Sequence, residues 1–398
     1  IDRLLVVTFT DAAAAEMRER ICAALDTLLS KGDASRWPDP ARLARQLVLV
    51  KKADISTIHS FCHKVVRQHF YRLDIDPAFR VMDEVEAALL RLETADDLFE
   101  ECYGGSQGGA FIDLVEAYGG ERGDEALREL VVRIYERSRG QSRPGAWFDK
   151  MADAFHIEPT ASIDALPWTR TVVQAVSRDL VRARGLLEQA LYLAGSPDGP
   201  REYAAVLQND IAACSRMLEA AKASGFAGLY ESMSGLSFER LPRIKGGACN
   251  DTLKKRAKDM RDAARRLVLR AQQTYFSRPP EDYIADVRKV APLMEELVRV
   301  VREFARRYGE AKRARGLVDF SDLEHLSLQA LGTWDEESCR FQPTDIAREL
   351  AERYEEVLVD EYQDINPVQD AILTLVSRGA NTFVVGDVKQ SIYGFRLA

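Results

Sequence analysis

Four short runs of apolar, β-favouring residues stand out along the chain, and each ends in polar residues. They cover residues 4–9, 53–59, 357–361 and 382–387. Helical patterns follow the first run to about Leu29 and the second to about Tyr71, and a helix from Pro367 to Ser377 separates the last two. Strands that alternate with helices are typical of a parallel sheet with helices on both faces. We therefore predict an α/β fold.

The pattern changes in the middle of the chain. Between residues 83 and 312, helical patterns separated by Gly-rich or Pro-rich loops replace the alternation. We therefore predict an α/β domain whose two parts, 1–82 and 313–398, are separated by a mainly α-helical insertion, 83–312.

Composition narrows the class of protein. Of the 398 residues, 46% are apolar and 30% are charged, which is typical of globular proteins. No apolar run approaches the roughly 20 residues that span a bilayer, so we expect no membrane association. No signal peptide is visible, and the six cysteines form no CxxC pair. These features predict reduced thiols and a cytoplasmic protein.

The charge distribution leaves two interpretations open. A formal net charge of -8 argues against a generally basic nucleic-acid-binding protein but does not exclude a local basic groove. Residues 254–270 carry eight basic residues against two acidic ones, and residues 298–315 carry seven against two. Each segment is either a solvated helix face or a track for nucleic acid.

Two of the predicted strands end in residues that can act on a phosphate. Asp360 and Glu361 follow the third strand directly. One carboxylate there can hold a hydrated Mg²⁺ while the other orients or deprotonates a water, although a solvated turn is the alternative. Gln390 follows the fourth strand, and its neutral amide can contact a γ-phosphate without repelling it.

Hydroxyl, aromatic and basic side chains follow the strands as well. Ala-rich sequence after the first strand exposes a helix N-terminus that can accept a phosphate. Aromatic rings beside a cation suit stacking on a nucleobase with a nearby phosphate contact, whereas isolated aromatics are more often core residues. The candidates for contact with single-stranded nucleic acid are Thr8, Thr10, Thr57, His59, Phe61, Tyr393, Phe395 and Arg396.

Taken together, these segments resemble the conserved motifs of superfamily 1 DNA helicases of the UvrD/Rep type. The resemblance is densest at both ends of the chain, and the wording is closest to the helicase–nucleases of the AddAB type. The segments that carry it are VVTFTDAAAAEMRERI (6–21), STIHSFC (56–62), GLVDFSDL (316–323), VLVDEYQD (357–364) and VVGDVKQSIYGFR (384–396).

The resemblance implies a RecA-like sheet of the P-loop NTPase type, with ATP and Mg²⁺ as ligands. In this family Asp360 would hold Mg²⁺, Glu361 would be the general base for the hydrolytic water, and Gln390 would contact the γ-phosphate. The hydroxyl, aromatic and basic candidates would line the track for single-stranded DNA. Asp319, Phe320 and Asp322 would brace the nucleotide and DNA sites together. The implied partners are single-stranded and double-stranded DNA and an AddB-like subunit, in double-strand break repair and recombination in the bacterial cytoplasm.

One family motif has no counterpart in the sequence. No GxxxxGK[ST] loop occurs, and the resemblance places it just upstream of Ile1. We therefore expect a fragment of a longer helicase that does not hydrolyse ATP by itself. Two alternatives remain: a UvrD-like or RecB-like helicase without the nuclease, or a catalytically silent scaffold that binds DNA or a partner.

Overall fold

The computed structural model describes residues 1–31, 40–105, 108–120, 123–158, 160–245 and 247–390. The chain forms two compact units. The first comprises Ile1–Lys150 and Glu295–Ala398, and the second comprises Met151–Met294.

The helices and strands alternate at the two ends of the chain, and helices alone fill the middle. The helices are α1 (Asp11–Lys31), α2 (Pro40–Leu49), α3 (Ile58–His69), α4 (Glu84–Gly104), α5 (Gly108–Tyr118), α6 (Glu125–Arg139), α7 (Pro144–Asp153), α8 (Pro167–Gly195), α9 (Ala204–Ser234), α10 (Asp251–Tyr275), α11 (Pro280–Ala314), α12 (Phe320–Leu331), α13 (Asp345–Arg353) and α14 (Pro367–Leu375). The strands are β1 (Leu4–Thr8), β2 (Asp54–Thr57), β3 (Arg80–Val81), β4 (Leu317–Val318), β5 (Gly332–Asp335), β6 (Arg340–Pro343), β7 (Glu356–Val359) and β8 (Thr382–Val384).

A parallel sheet forms the centre of the first unit. Its strand order is β2-β1-β7-β8, and every neighbouring pair is parallel. These strands lie in the four apolar runs, so the prediction of a parallel α/β sheet is confirmed. Each strand is shorter than its run, because the polar residues at the carboxyl ends turn away into loops or helices.

Helices cover both faces of this sheet, and the alternation of side chains along β1 shows how. Leu5 and Val7 belong to a core that also contains residues of α3, α12, α13 and α14. Val6 points to the opposite face, where it packs with Ala14 of α1 and Ile55 of β2. A strand buried on both faces is expected to be continuously apolar, as β1 is.

The helix starts follow from local sequence. The Thr10 hydroxyl accepts a hydrogen bond from Ala13 N, as predicted for an N-cap of α1. Pro367 occupies the first turn of α14 behind an Asn366–Gln369 capping box. The short antiparallel hairpin β5–β6 was not predicted from the sequence.

The second unit is helical, and its core lies between α8, α9 and α10. Arg261 of α10 is 2% exposed and donates to Asp210 of α9 at 2.6 Å. Among the residues that the structure describes, no helix combines the length and apolar character that a membrane-spanning helix requires. The division into 1–82, 83–312 and 313–398 stays a prediction, because it concerns subdomains rather than compact packing.

Candidate active site

The strand register brings the predicted site residues to one edge of the sheet. Thr8 lies opposite Thr57, and Val7 lies opposite Val359. The Asp360 N–H donates to the Val7 carbonyl at 2.9 Å, so Asp360 continues the same row. The carboxyl ends of β2, β1 and β7 therefore lie side by side, where open α/β sheets bind their ligands.

Glu361 turns the chain sharply at this edge. Its φ of 53° and ψ of 43° place it in the left-handed region, which costs a residue with a side chain about 1–3 kcal/mol. A 3₁₀ turn, Tyr362–Asp364, follows immediately. The unfavourable backbone leads Glu361 out of the strand direction, and its side chain is exposed at the end of β7.

Hydrogen bonds connect Glu361 to the residues that follow β8. The Gln363 Nε2 donates to Glu361 Oε2 at 2.6 Å, and the Gln363 Oε1 accepts from Asp387 N at 3.0 Å. The Gln390 Nε2 in turn donates to Asp387 Oδ2 at 3.1 Å. The structure thus joins two predicted catalytic residues, Glu361 and Gln390, through Gln363 and Asp387. We call these four residues together with Asp360 the catalytic set.

Sequence reasoning assigned no role to Gln363 or Asp387. Both lie inside motifs that the sequence analysis singled out, DEYQD and GDVKQ. An amide between two carboxylates could have suggested a bridge, because an amide donates and accepts at once. Which pair it bridges depends on the fold.

The tyrosine of DEYQD makes a structural contact with a neighbouring helix. The Tyr362 hydroxyl donates to Asp370 Oδ1 of α14 at 2.6 Å. This hydrogen bond raises the pKa of Tyr362 to about 12, with partial burial as the second cause. Tyr362 is therefore neutral at physiological pH and fixes the loop to α14.

The carboxylates suit Mg²⁺ better than a metal that needs an all-protein cage. The described residues contain no group of three or more His, Cys, Asp and Glu that could hold a metal ion. Mg²⁺ keeps several waters and is bound by one or two carboxylates together with phosphate oxygens. Asp360, at a strand end on this edge, fits such a one-carboxylate site.

Not every residue predicted to contact nucleic acid is accessible. Thr8 and Thr57 are buried, and their hydroxyls bond locally: Thr8 donates to Thr10 O, and Thr57 caps α3 by accepting from Ser60 N. Phe61 is 2% exposed in the apolar core. Its ring has no open face for a base, so its predicted stacking role conflicts with this packing.

The accessible residues at this edge include two aromatics that the DNA-contact prediction omitted. Phe9 follows β1 and is 41% exposed, and Phe320 opens α12 and is 46% exposed. The His59 ring lies 5.2 Å from the Phe320 ring. Thr10 is also exposed. Three further predicted contacts, Tyr393, Phe395 and Arg396, lie outside the described residues.

Asp319 and Asp322 form a buried ionic cluster next to this edge. The Lys312 Nζ lies 2.7 Å from Asp319 Oδ2 and 2.5 Å from Asp322 Oδ2, and Arg139 binds Asp322 at 3.1 Å. Burial raises the pKa of Asp319, but the Lys312 charge outweighs it and holds the pKa below its usual range. The cluster fastens the start of α12 to α11 and α6.

Known proteins resemble the chain over its whole length. An A-type subunit of an ATP-dependent helicase/nuclease from Pelotomaculum thermopropionicum is 45% identical over 403 residues, which cover 100% of this chain and 31% of that protein. Proteins of the same name from Geobacillus kaustophilus and Moorella thermoacetica are 43% and 44% identical, and 32% and 28% of their lengths are covered. The chain spans about a third of the length of these relatives.

The geometry and the comparisons agree on the class of domain. A parallel sheet carries the DEYQD and GDVKQ motifs at its carboxyl edge, and the matching family model describes a UvrD/REP helicase N-terminal domain over residues 1–398. The chain belongs to the UvrD/REP helicase N-terminal domain family.

Proposed function

We propose that this chain is part of the first, RecA-like motor domain of an ATP-dependent DNA helicase–nuclease. The observation that carries the proposal is the catalytic set, in which Glu361 and Gln390 are linked by hydrogen bonds beside Asp360. This arrangement places a water-activating carboxylate and a phosphate-sensing amide at one strand edge. Such an edge is where α/β proteins bind nucleotides.

Each member of the catalytic set has a distinct role in this proposal. Asp360 would hold Mg²⁺, which would neutralise charge on the phosphates of ATP. Glu361 orients the attacking water and takes its proton as general base. Gln390 donates its amide to the γ-phosphate, and Gln363 holds Glu361 and the residues after β8 in register.

The DNA contact in this proposal uses the accessible residues of the same edge. Phe9 and Phe320 offer ring faces for stacking, and Thr10 and His59 offer polar atoms. Base stacking on an aromatic side chain contributes about 1–3 kcal/mol per base and is indifferent to sequence. Thr8 and Thr57 shape the loops that present these groups. Tyr393, Phe395 and Arg396 remain candidates from the resemblance.

The second unit would add a sequence-independent contact. Exposed basic residues line one face of α10, and none forms an ion pair with any residue that the structure describes; they are Lys255, Arg256, Lys258, Arg266 and Arg270. Lys and Arg side chains bind phosphates by charge, without reading bases. We propose that this basic face contacts the DNA backbone.

For the complete protein we propose DNA unwinding and end processing in double-strand break repair. The relatives are named as subunits of a helicase/nuclease, which supports a nuclease activity elsewhere in the protein and a partner subunit. In this proposal residues 83–312 are a helical insertion into the motor domain. ATP, Mg²⁺ and DNA are the expected ligands.

The decisive experiment changes one carboxylate in the full-length protein. Glu361→Gln keeps size and hydrogen bonding but removes the base, so we expect ATP turnover to fall by at least about 100-fold. Binding of ATP with Mg²⁺ should persist, because Asp360 is intact. Steady-state ATP hydrolysis and equilibrium binding of a fluorescent ATP analogue measure the two effects.

A matched control lies on the same strand. Glu356 is exposed at the opposite end of β7, so Glu356→Gln should leave turnover close to that of the unaltered protein. If the Glu361→Gln protein still hydrolysed ATP at the normal rate, Glu361 could not be the base. A full-length protein without any DNA-dependent ATP hydrolysis would favour the scaffold alternative.

A further inference from the structure

A buried carboxylate joins two segments of the first unit that the sequence analysis treated separately. Glu324 lies on α12 and is 3% exposed. His59, at the start of α3, and α14, which follows the DEYQD segment, both contact it. Neither the motifs nor their spacing assigned a role to Glu324.

The first contact is with the nucleic-acid side of the edge. The His59 Nε2 lies 2.9 Å from Glu324 Oε1. His59 is about one-third exposed, and its ring contacts the exposed Phe320. One face of His59 is therefore open to a ligand while one nitrogen is held by the buried carboxylate.

The second contact is with the helix behind the carboxylate pair. The Gln369 Nε2 donates to Glu324 Oε1 at 2.6 Å, and the Asn366 Nδ2 donates to Glu324 Oε2 at 3.3 Å. The same two side chains form the capping box of α14, because each also bonds the other's backbone. The Glu324 carboxylate thus accepts the remaining side-chain amide protons of that cap.

These bonds fix the charge of the carboxylate. Burial raises the pKa of Glu324, but hydrogen bonds from His59, Gln369 and Asn366 outweigh burial and lower the pKa below its ordinary value. A buried carboxylate that loses one donor is destabilised by about 1–3 kcal/mol. His59 and the start of α14 therefore cannot move independently without cost.

We propose that Glu324 is a positioning residue that couples DNA contact at His59 to the segment carrying Asp360 and Glu361. The proposal rests on the proposed function, since it concerns how DNA stimulates ATP hydrolysis at that same site. When DNA fixes His59, Glu324 transmits the constraint to Asn366 and Gln369. The loop from Asp360 to Asn366 is then held in the geometry that activates water.

The test compares DNA-stimulated and DNA-free ATP hydrolysis in the full-length protein. Glu324→Gln, His59→Asn and the double variant are titrated with an oligothymidylate. We expect each single change to lower the maximal DNA stimulation about ten-fold, the equivalent of roughly 1.4 kcal/mol. The double variant should be no lower than the worse single variant, because both changes interrupt one connection.

Two further variants separate coupling from folding. Gln369→Leu interrupts the same connection on the α14 side, so stimulation should fall while the oligothymidylate concentration for half-maximal effect stays unchanged. Glu296→Gln is the matched control, since Glu296 is also buried but bonds Arg299 within α11. It should leave the stimulation intact, and melting temperatures show whether each variant is folded.

The outcomes distinguish this inference from the proposed function. Multiplicative losses in the double variant, or full stimulation in both Glu324→Gln and Gln369→Leu, would overturn the coupling role. An unaltered protein whose ATP hydrolysis ignores DNA would instead contradict the proposed function.

Discussion

Gly386 lies where a side chain would collide with the loop that carries the carboxylate pair. A Cβ at this position would come within 2.5 Å of Gln363 Oε1 and within 3.1 and 3.2 Å of the Gln363 and Tyr362 backbone nitrogens. The Tyr362 N–H donates to the Val385 carbonyl, so the two backbones already touch. The absence of a side chain lets β8 approach the loop closely enough for Gln363 to bridge it.

We therefore expect Gly386→Ala to disturb the catalytic set more than the fold. The added methyl should displace Gln363 and destabilise the protein by about 1–3 kcal/mol. In the full-length protein, ATP turnover should fall because Glu361 loses its hydrogen-bond donor. Thermal unfolding and steady-state ATP hydrolysis measure the two effects.

Gly309→Ala is the control for this substitution. Gly309 lies within α11, and a Cβ there meets nothing within 4 Å. Alanine should stabilise the helix by roughly 0.5–1 kcal/mol without changing turnover. Normal turnover in Gly386→Ala would mean that Gln363 does not hold Glu361 for catalysis.

At the scale of elements, the sequence predicted what depends on short-range pattern. The strands of the sheet were found because apolar runs end abruptly in polar residues, and Thr10 and Pro367 marked helix starts. The β5–β6 hairpin was missed because its turn lacks Gly and Asn, and Cys339 adopts the left-handed conformation instead. Phe61 was misplaced because an aromatic at a strand-to-helix turn can point either way.

Long-range contacts explain what the sequence could not give. Glu324 meets His59 and Gln369, which lie on separate helices far apart in the chain. Nothing in the local pattern of α12 distinguishes Glu324 from a solvated residue. The role of Gln363 likewise depends on how close β8 approaches, which only the packed sheet determines.

The contact between α12 and α6 predicts a dependence of stability on pH. The His325 Nε2 lies 2.9 Å from the Arg139 carbonyl. Burial, reinforced by the Arg139 charge, lowers the pKa of His325 from 6.5 to about 4. The folded protein therefore keeps His325 neutral between these values, whereas the unfolded chain takes up a proton.

Because the unfolded state binds more protons in this window, stability should fall as pH decreases from about 6.5 to about 4. The loss approaches roughly 1.4 kcal/mol per pH unit from this residue. His325→Gln keeps a side-chain donor for Arg139 but removes the titration, so its stability should depend less on pH. Urea unfolding of this chain at several pH values measures the slope.

The same variant at neutral pH controls for packing. Any loss of stability there reflects the contact itself, and only the difference between the two pH values reports titration. An identical slope in the variant and the unaltered chain would show that His325 does not contribute to acid sensitivity.

At the scale of the whole molecule, the structure separates the two basic segments. In 298–315 the charges are largely used internally: Arg302 pairs with Asp149, Arg306 with Glu303 and Glu310, and Lys312 with Asp319. On α10, the exposed basic face defined above forms no ion pair with the described part of the chain. A net charge of -8 therefore coexists with a local positive surface on the second unit.

This difference predicts which basic segment binds DNA. Lys255→Glu and Lys258→Glu together should weaken binding of the full-length protein to duplex DNA of any sequence. The dependence of log affinity on log salt should become shallower by about one for each phosphate that is no longer bound. Fluorescence anisotropy with two unrelated duplexes over a range of salt concentrations measures both effects.

Arg306→Glu provides the contrast, because Arg306 is engaged with two glutamates of its own helix. Its reversal should change stability but not the salt dependence of DNA binding. Equal salt slopes in the α10 variant and the unaltered protein would identify the basic face as a solvated helix surface. Weaker binding to only one of the two duplexes would argue for base recognition, which charge alone cannot provide.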